Sequence, residues 1–159
     1  MRRSMGILLG ALLVSPVGVA QQVAQQKESA VMHHAHGTFT VKMAPITPAP
    51  AEGLARYSID KEIHGDMEAT TKGEMLSGGD PKSGDAGYVA IELVTGTLGG
   101  KHGSFALQHS ATMDARGAKM TVIVVPGSGT GELKGIAGTF TITIAGGVHS
   151  YDLDYTLPS

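Results

Sequence analysis

The chain of 159 residues carries 12 lysines and arginines against 14 aspartates and glutamates, a formal net charge of −2. This mild acidity argues against a nucleic-acid-binding protein. Because the chain contains no cysteine, disulfides and thiolate sites are excluded, and a hydrophobic core must hold the fold together.

The N-terminus has the pattern of a secretory signal peptide. Arg2 and Arg3 precede an apolar run over residues 5–14, and small residues at 18–20 mark a cleavage site. The run is far shorter than the ~20 residues that a membrane-spanning helix needs. We therefore expect residues 1–20 to be removed and the mature protein, with a charge of 10 − 14 = −4, to be periplasmic or extracellular without membrane insertion. The paired arginines leave twin-arginine export open beside general secretion.

Residues 21–35 are rich in Gln and Ala and predict a flexible lead, and residues 36–158 are predicted to form one folded domain. Within this domain, apolar and polar residues alternate in short runs separated by Gly, Pro and Asp clusters, a pattern typical of strands joined by turns. The eight predicted strands cover residues 36–43, 57–63, 66–76, 88–95, 104–113, 119–125, 139–145 and 149–156.

Two segments are near copies of each other at an offset of 35 residues. Residues 95–107 and 130–142 both read Thr-Gly-x-Leu-x-Gly-x-x-Gly-Ser/Thr-Phe-x-Leu/Ile. Three glycines at fixed spacing before an alternating Phe-x-aliphatic run predict the same hairpin turn twice. Eight short antiparallel strands at regular spacing favour an all-β fold, a small up-and-down barrel, with a sandwich left open as the alternative.

Four short sequence motifs are more specific than the alternation of apolar and polar residues. They are residues 87–92 (Gly-Tyr-Val-Ala-Ile-Glu), 98–109 (Leu-Gly-Gly-Lys-His-Gly-Ser-Phe-Ala-Leu-Gln-His), 125–133 (Val-Pro-Gly-Ser-Gly-Thr-Gly-Glu-Leu) and 151–155 (Tyr-Asp-Leu-Asp-Tyr). With these runs the chain resembles, over residues 36–157, a bacterial family called domain of unknown function 3224. The resemblance implies the antiparallel barrel of allene oxide cyclases, but not their activity, because the family has no established function.

Alternation also assigns side chains to the two faces of the barrel wall. His109 takes the place of Ile144 in the repeat, so it is expected on the inner face with Phe105. The polar residues predicted to point inward are Lys61, His109, His149, Tyr151 and Tyr155. An unpaired lysine is costly to bury, and Glu92 is its natural partner. The face of Glu92 is ambiguous, because two alternate sets of apolar residues on its strand compete for the inside.

The function predicted from this cluster is the binding of a small hydrophobic or amphipathic molecule in the barrel lumen, without a cofactor. One alternative is a cyclase or isomerase that uses the same residues as acids and bases. Another is a homo-oligomeric structural module, in which outer acidic strands, including Asp66, Glu68 and Glu74, face the partners. Gln108 is expected to stabilise the outer face or a subunit contact. A third is that the cluster only closes the barrel ends by bonding to the backbone.

Histidines 33, 34 and 36 are metal-ligating residue types, and His64 with Asp66 could add ligands. We nevertheless expect no built metal site. A flexible lead gives no preformed geometry, and no other pair of residues has the spacing of a zinc site.

Overall fold

The computed structural model describes residues 31–158, which form a closed barrel of eight antiparallel strands in sequential order. The strands are β1 (Met32–Pro45), β2 (Leu54–Gly65), β3 (Met67–Asp80), β4 (Asp85–Leu98), β5 (Lys101–Asp114), β6 (Gly117–Val124), β7 (Ala137–Ala145) and β8 (Val148–Thr156). Because β1 pairs with β8 along its first half, the sheet closes on itself. This confirms the predicted barrel and excludes the sandwich.

The predicted signal peptide lies outside the described residues. Among residues 31–158, no helix has the length and apolar character needed to cross a membrane.

β1 begins at Met32, four residues before the predicted strand, so the last part of the predicted flexible lead belongs to the sheet. The reason lies in β8. His33 pairs with Tyr155, and the two rings stack with their centroids 5.2 Å apart. Ala35 is buried in the core. The Gln- and Ala-rich composition upstream concealed this extension, and residues 21–30 lie outside the described range.

Other strands also run past their predicted ends, because several glycines taken as turn signals lie inside the barrel wall. Gly96 on β4 pairs with Gly103 on β5. A Cβ atom at Gly96 would collide with Ala69 on β3. Glycine here permits a close approach of neighbouring strands rather than a turn.

The two copies of the repeat have different structures, so the prediction of two identical hairpins is wrong. In the first copy, Gly99 and Gly100 have positive φ angles of 55° and 78° and make the tight turn from β4 to β5. The second copy contains a 3-10 helix, Gly131–Leu133, on the connection from β6 to β7. Pro126 follows β6 and has no N–H to donate to a ladder beyond that strand.

This connection closes one end of the barrel. Leu133 and Ile136 are fully buried and join the apolar core with Leu98 and Phe105. The Phe-x-aliphatic runs of both copies keep their predicted face, because Phe105 and Phe140 are both buried. The core therefore fills the end of the barrel that lies next to the 3-10 helix.

The wall has a weak seam between β6 and β7. These strands share one ladder pair, Ile123 with Thr139, whereas β7 and β8 share nine pairs. A cleft of about 450 Å³ lies between β6 and β7. The barrel is thus closed in topology but has a gap in its hydrogen bonding along this seam.

Candidate functional site

The other half of the barrel contains a cavity of about 500 Å³ that receives side chains from all eight strands. It opens at the end of the barrel opposite the 3-10 helix, where Met43, Met113 and Met120 at its rim are partly exposed to solvent. The walls are mainly apolar, with Phe39, Val41, Ile59, Met75, Ala111 and Ile142 among the lining residues. Such a space suits an apolar molecule.

Three charged or titratable side chains meet at the inner end of the cavity. Lys61 on β2 donates from Nζ to Glu92 Oε1 at 2.5 Å, and His109 Nε2 on β5 lies 2.7 Å from the same oxygen. Thr71 on β3 donates its hydroxyl to Glu92 Oε2 at 2.8 Å. The side chains of Lys61, Glu92 and His109 are 5%, 0% and 4% exposed. We call these three residues the buried triad.

The strand register explains how the triad forms. Glu92 lies opposite Gly73 on β3, and a Cβ atom at Gly73 would collide with Glu92. Because this inward position on β3 carries no side chain, Lys61 on β2 can reach Glu92 on β4 across the intervening strand. On the other side, His109 pairs with Ala90, the inward residue next to Glu92 on β4.

The ambiguity over Glu92 is resolved by its neighbours. Ala90 and Val94 are buried, while Val89, Ile91 and Leu93 are about half exposed. Glu92 therefore belongs to the inner face. Gln108 is exposed on the outer face and pairs with Ile91.

Glu92 is ionised at neutral pH despite its burial. Desolvation raises the pKa of its carboxyl group, but the hydrogen bond from His109 and the charge of Lys61 outweigh desolvation and lower the pKa to about 2. The Lys61 ammonium also lies 5.0 Å from the centre of the Phe39 ring, a favourable contact for a cation. The triad thus holds a buried, compensated ion pair.

The triad presents only some of its atoms to the cavity. Lys61 and His109 line the cavity, and Glu92 lies behind them. Among the described residues, His109 Nδ1 makes no hydrogen bond, and Lys61 Nζ donates only to Glu92. Since an ammonium has three donors, Lys61 and His109 can both engage a bound molecule.

The other predicted site residues lie elsewhere along the barrel. His149 lines the cavity near its opening, where its ring centroid is 5.2 Å from that of Phe39. Tyr151 and Tyr155 do point inward, but they belong to the apolar core. The Met67 N–H donates to the Tyr151 hydroxyl at 3.0 Å, and Tyr151 stacks on Phe140. The two tyrosines therefore stabilise the closed end and do not line the cavity.

Sequence reasoning missed Thr71 and the methionines at the rim. Thr71 has the same inward parity as Met67 and Ala69, so alternation along the strand could have placed it on the inner face. Met43, Met75, Met113 and Met120 also have inward parity near the strand ends that surround the cavity. Methionine side chains are flexible and polarisable, so they adapt to ligands of different shape.

The histidines near the N-terminus are held in β1 rather than in a mobile lead. His34 lies 2.8 Å from Asp154, a hydrogen bond that raises the pKa of His34, and His36 lies 3.0 Å from Asp66. His33 points inward and His34 outward, because side chains alternate along a strand. Within residues 31–158, no group of three or more His, Cys, Asp or Glu side chains is placed to hold a metal ion.

Comparisons with known proteins agree with the fold. A family model described as a protein of unknown function (DUF3224) matches residues 35–155. A crystal structure of a DUF3224 protein of unknown function from Shewanella oneidensis MR-1 is 41% identical, with a TM-score of 0.73, and the match covers 81% of this chain and 100% of that one. No curated protein matches the sequence significantly.

Proposed function

This chain belongs to the DUF3224 family of proteins of unknown function, and we propose that it binds a small hydrophobic or amphipathic molecule inside its barrel. One observation carries the proposal. The apolar cavity of about 500 Å³ ends on Lys61 and His109, which have polar atoms available to a guest at that inner end.

The cavity combines a mainly apolar wall with a few polar groups at its inner end. An apolar wall favours a guest that leaves water, and each buried methylene contributes ~0.8 kcal/mol. A few polar groups at one end then orient the guest by hydrogen bonding. Both oxygens of Glu92 are already engaged by Lys61, His109 and Thr71. The guest is therefore expected to carry a hydrogen-bond acceptor at its inner end.

We also propose that binding occurs outside the cytoplasm. The support is the signal-peptide pattern of residues 1–20, with its two arginines, apolar run and small residues. Expression of the full chain in a bacterium, followed by N-terminal sequencing of the periplasmic fraction, tests this. A mature N-terminus close to Gln21 is expected, and retention of Met1 in the cytoplasm would contradict it.

A catalytic role in the same cavity is the second candidate, favoured by the geometry of His109. Its Nε2 atom contacts an ionised carboxylate while Nδ1 is free of hydrogen bonds among the described residues. A carboxylate-oriented imidazole of this kind is a competent general base. If it catalyses an isomerisation, His109→Ala abolishes turnover and leaves ligand affinity within a few fold. If it only binds, the same substitution changes affinity and no product forms.

Native mass spectrometry of the purified mature protein tests the binding proposal. A non-covalent small molecule should accompany the polypeptide and be lost on denaturation. The same sample should bind the apolar fluorophore N-phenylnaphthylamine after the native ligand is extracted. A mass equal to the bare polypeptide in repeated preparations, together with no fluorophore binding, would overturn the proposal.

A further inference from the structure

We propose that Lys61 forms a reversible imine with the carbonyl carbon of an apolar aldehyde or ketone bound in the cavity. The inference rests on the proposed function, because it names the chemical class of the guest. It is carried by the position of the amine, the position of its counter-ion and the placement of an imidazole beside them.

Lys61 is buried, while the six other lysines of the described chain are exposed: Lys42, Lys72, Lys82, Lys101, Lys119 and Lys134. Lys61 also lines the apolar cavity. A guest that reaches the inner end of the apolar cavity therefore meets the amine of Lys61, whereas Lys119 lines the opening. Confinement of this kind favours addition of the amine to a carbonyl group.

Glu92 lies behind Lys61, outside the cavity lining, with 2.5 Å between Nζ and Oε1. A protonated imine carries the same single positive charge as the ammonium that it replaces. Glu92 can compensate either species without moving a charge into the cavity. The Glu92 carboxylate can therefore pair with Lys61 both as an ammonium and as a protonated imine, because the carboxylate does not line the cavity.

His109 Nδ1 moves the protons, while Glu92 stays a carboxylate. His109 takes one proton from the Lys61 ammonium, and the neutral amine attacks the carbonyl carbon to form the C–N bond. His109 passes this proton to the carbonyl oxygen, which gives the N-protonated carbinolamine. It then takes a second proton from nitrogen and passes it to the hydroxyl group. The C–O bond breaks, water leaves, and the protonated imine pairs with the Glu92 carboxylate.

Imine formation needs no oxidant or reductant. Ammonium and carbonyl compound give protonated imine and water, and both hydrogens of the water come from the ammonium. Hydrolysis by the reverse route releases the guest. Because Glu92 Oε1 contacts both Lys61 Nζ and His109 Nε2, one carboxylate oxygen holds the amine and the imidazole side by side.

Trapping with trans-cinnamaldehyde and sodium cyanoborohydride tests the inference, with cinnamyl alcohol as the matched probe that lacks a carbonyl group. Intact mass should show one adduct per chain, and peptide mapping should place it on Lys61. Lys119, exposed near the cavity opening, is the internal control. We expect Lys61 to be modified at least about tenfold faster than Lys119 because of its confined position. Lys61→Arg, which keeps the charge, should remove this adduct.

Displacement of N-phenylnaphthylamine separates the inference from the proposed function. If both cinnamyl probes displace the fluorophore but no Lys61 adduct is trapped, the imine is overturned and lumen binding stands. If neither probe displaces it and no adduct forms, both proposals fail. Adducts spread over the exposed lysines, with no preference for Lys61, would also overturn the imine.

Discussion

Lys61 Nζ lies 2.5 Å from Glu92 Oε1, although the two residues belong to strands that are not neighbours in the sheet. The contact crosses β3 at Gly73, where no side chain intervenes. This contact holds Lys61 at the inner end of the cavity. The same lysine therefore takes part in the buried ion pair that stabilises the fold and in the proposed contact with a bound molecule.

Replacing Glu92 by Gln should destabilise the protein strongly. The substitution leaves the Lys61 charge buried without an anion, which costs ~3–5 kcal/mol in comparable buried pairs. Glu74→Gln is the matched control, because the Arg56–Glu74 pair is about half exposed and such pairs contribute ~0–1 kcal/mol. Urea denaturation monitored by circular dichroism measures both. Equal losses in the two variants would show that the Lys61–Glu92 contact has no special energetic role.

The ion pair should also make stability fall in acid. The pKa of Glu92 is lowered from 4.5 to about 2 in the folded state, so its contribution is fully present above pH 4.5 and is lost as the pH falls toward 2. The difference in unfolding free energy between wild type and Glu92→Gln should therefore shrink across this interval. A difference that stays constant from pH 6 to pH 2 would contradict the lowered pKa.

Tyr151→Phe should destabilise the closed end of the barrel by ~1–3 kcal/mol, because it leaves the buried Met67 N–H without its acceptor. Tyr57→Phe is a suitable control, since the Tyr57 hydroxyl makes no hydrogen bond among the described residues and lines the cavity. Thermal unfolding measures the two losses. If Tyr151→Phe leaves the fluorophore affinity unchanged, Tyr151 is structural, as its place in the core implies.

Hydrogen exchange should be faster along the seam between β6 and β7 than in neighbouring ladders. Beyond the pair Ile123 with Thr139, these strands have no ladder pairs in the described chain. The amides of residues 118–122 and 140–144 that point toward the seam should therefore lose protection first. Nuclear magnetic resonance resolves individual amides, and the β4–β5 ladder provides the reference. Equal protection in both places would mean that the seam is closed in solution.

Alternation in the sequence favoured the barrel over a sandwich and predicted the face of most side chains. Phe105 and His109 are buried, as their shared parity predicts. Parity does not determine depth along the barrel. Ile144 occupies the repeat position of His109 but is 63% exposed, because it lies next to the turn at the open end of β7. Tyr151 has the same inward parity as His149 but belongs to the core.

Depth depends on contacts that are distant in sequence. The segment containing Leu133 and Ile136 fills one end of the barrel, so residues at that end pack against it and those at the other end line a cavity. The repeat concealed this difference, since Leu98 and Leu133 occupy equivalent positions in a hairpin and in a 3-10 helix connection. The gap that lets Lys61 reach Glu92 depends on Gly73, a residue whose role is visible only in the strand register.

The most direct test of lumen binding is a fluorescence titration of N-phenylnaphthylamine against two tryptophan variants of β5. Ala111 lines the cavity, whereas Ser110 next to it is exposed on the outer face. Ala111→Trp should fill the cavity and weaken binding at least about tenfold, a loss of ~1.4 kcal/mol, while Ser110→Trp should bind as wild type does. Unchanged affinity in a folded Ala111→Trp variant would place the binding site outside the barrel and contradict the proposed function.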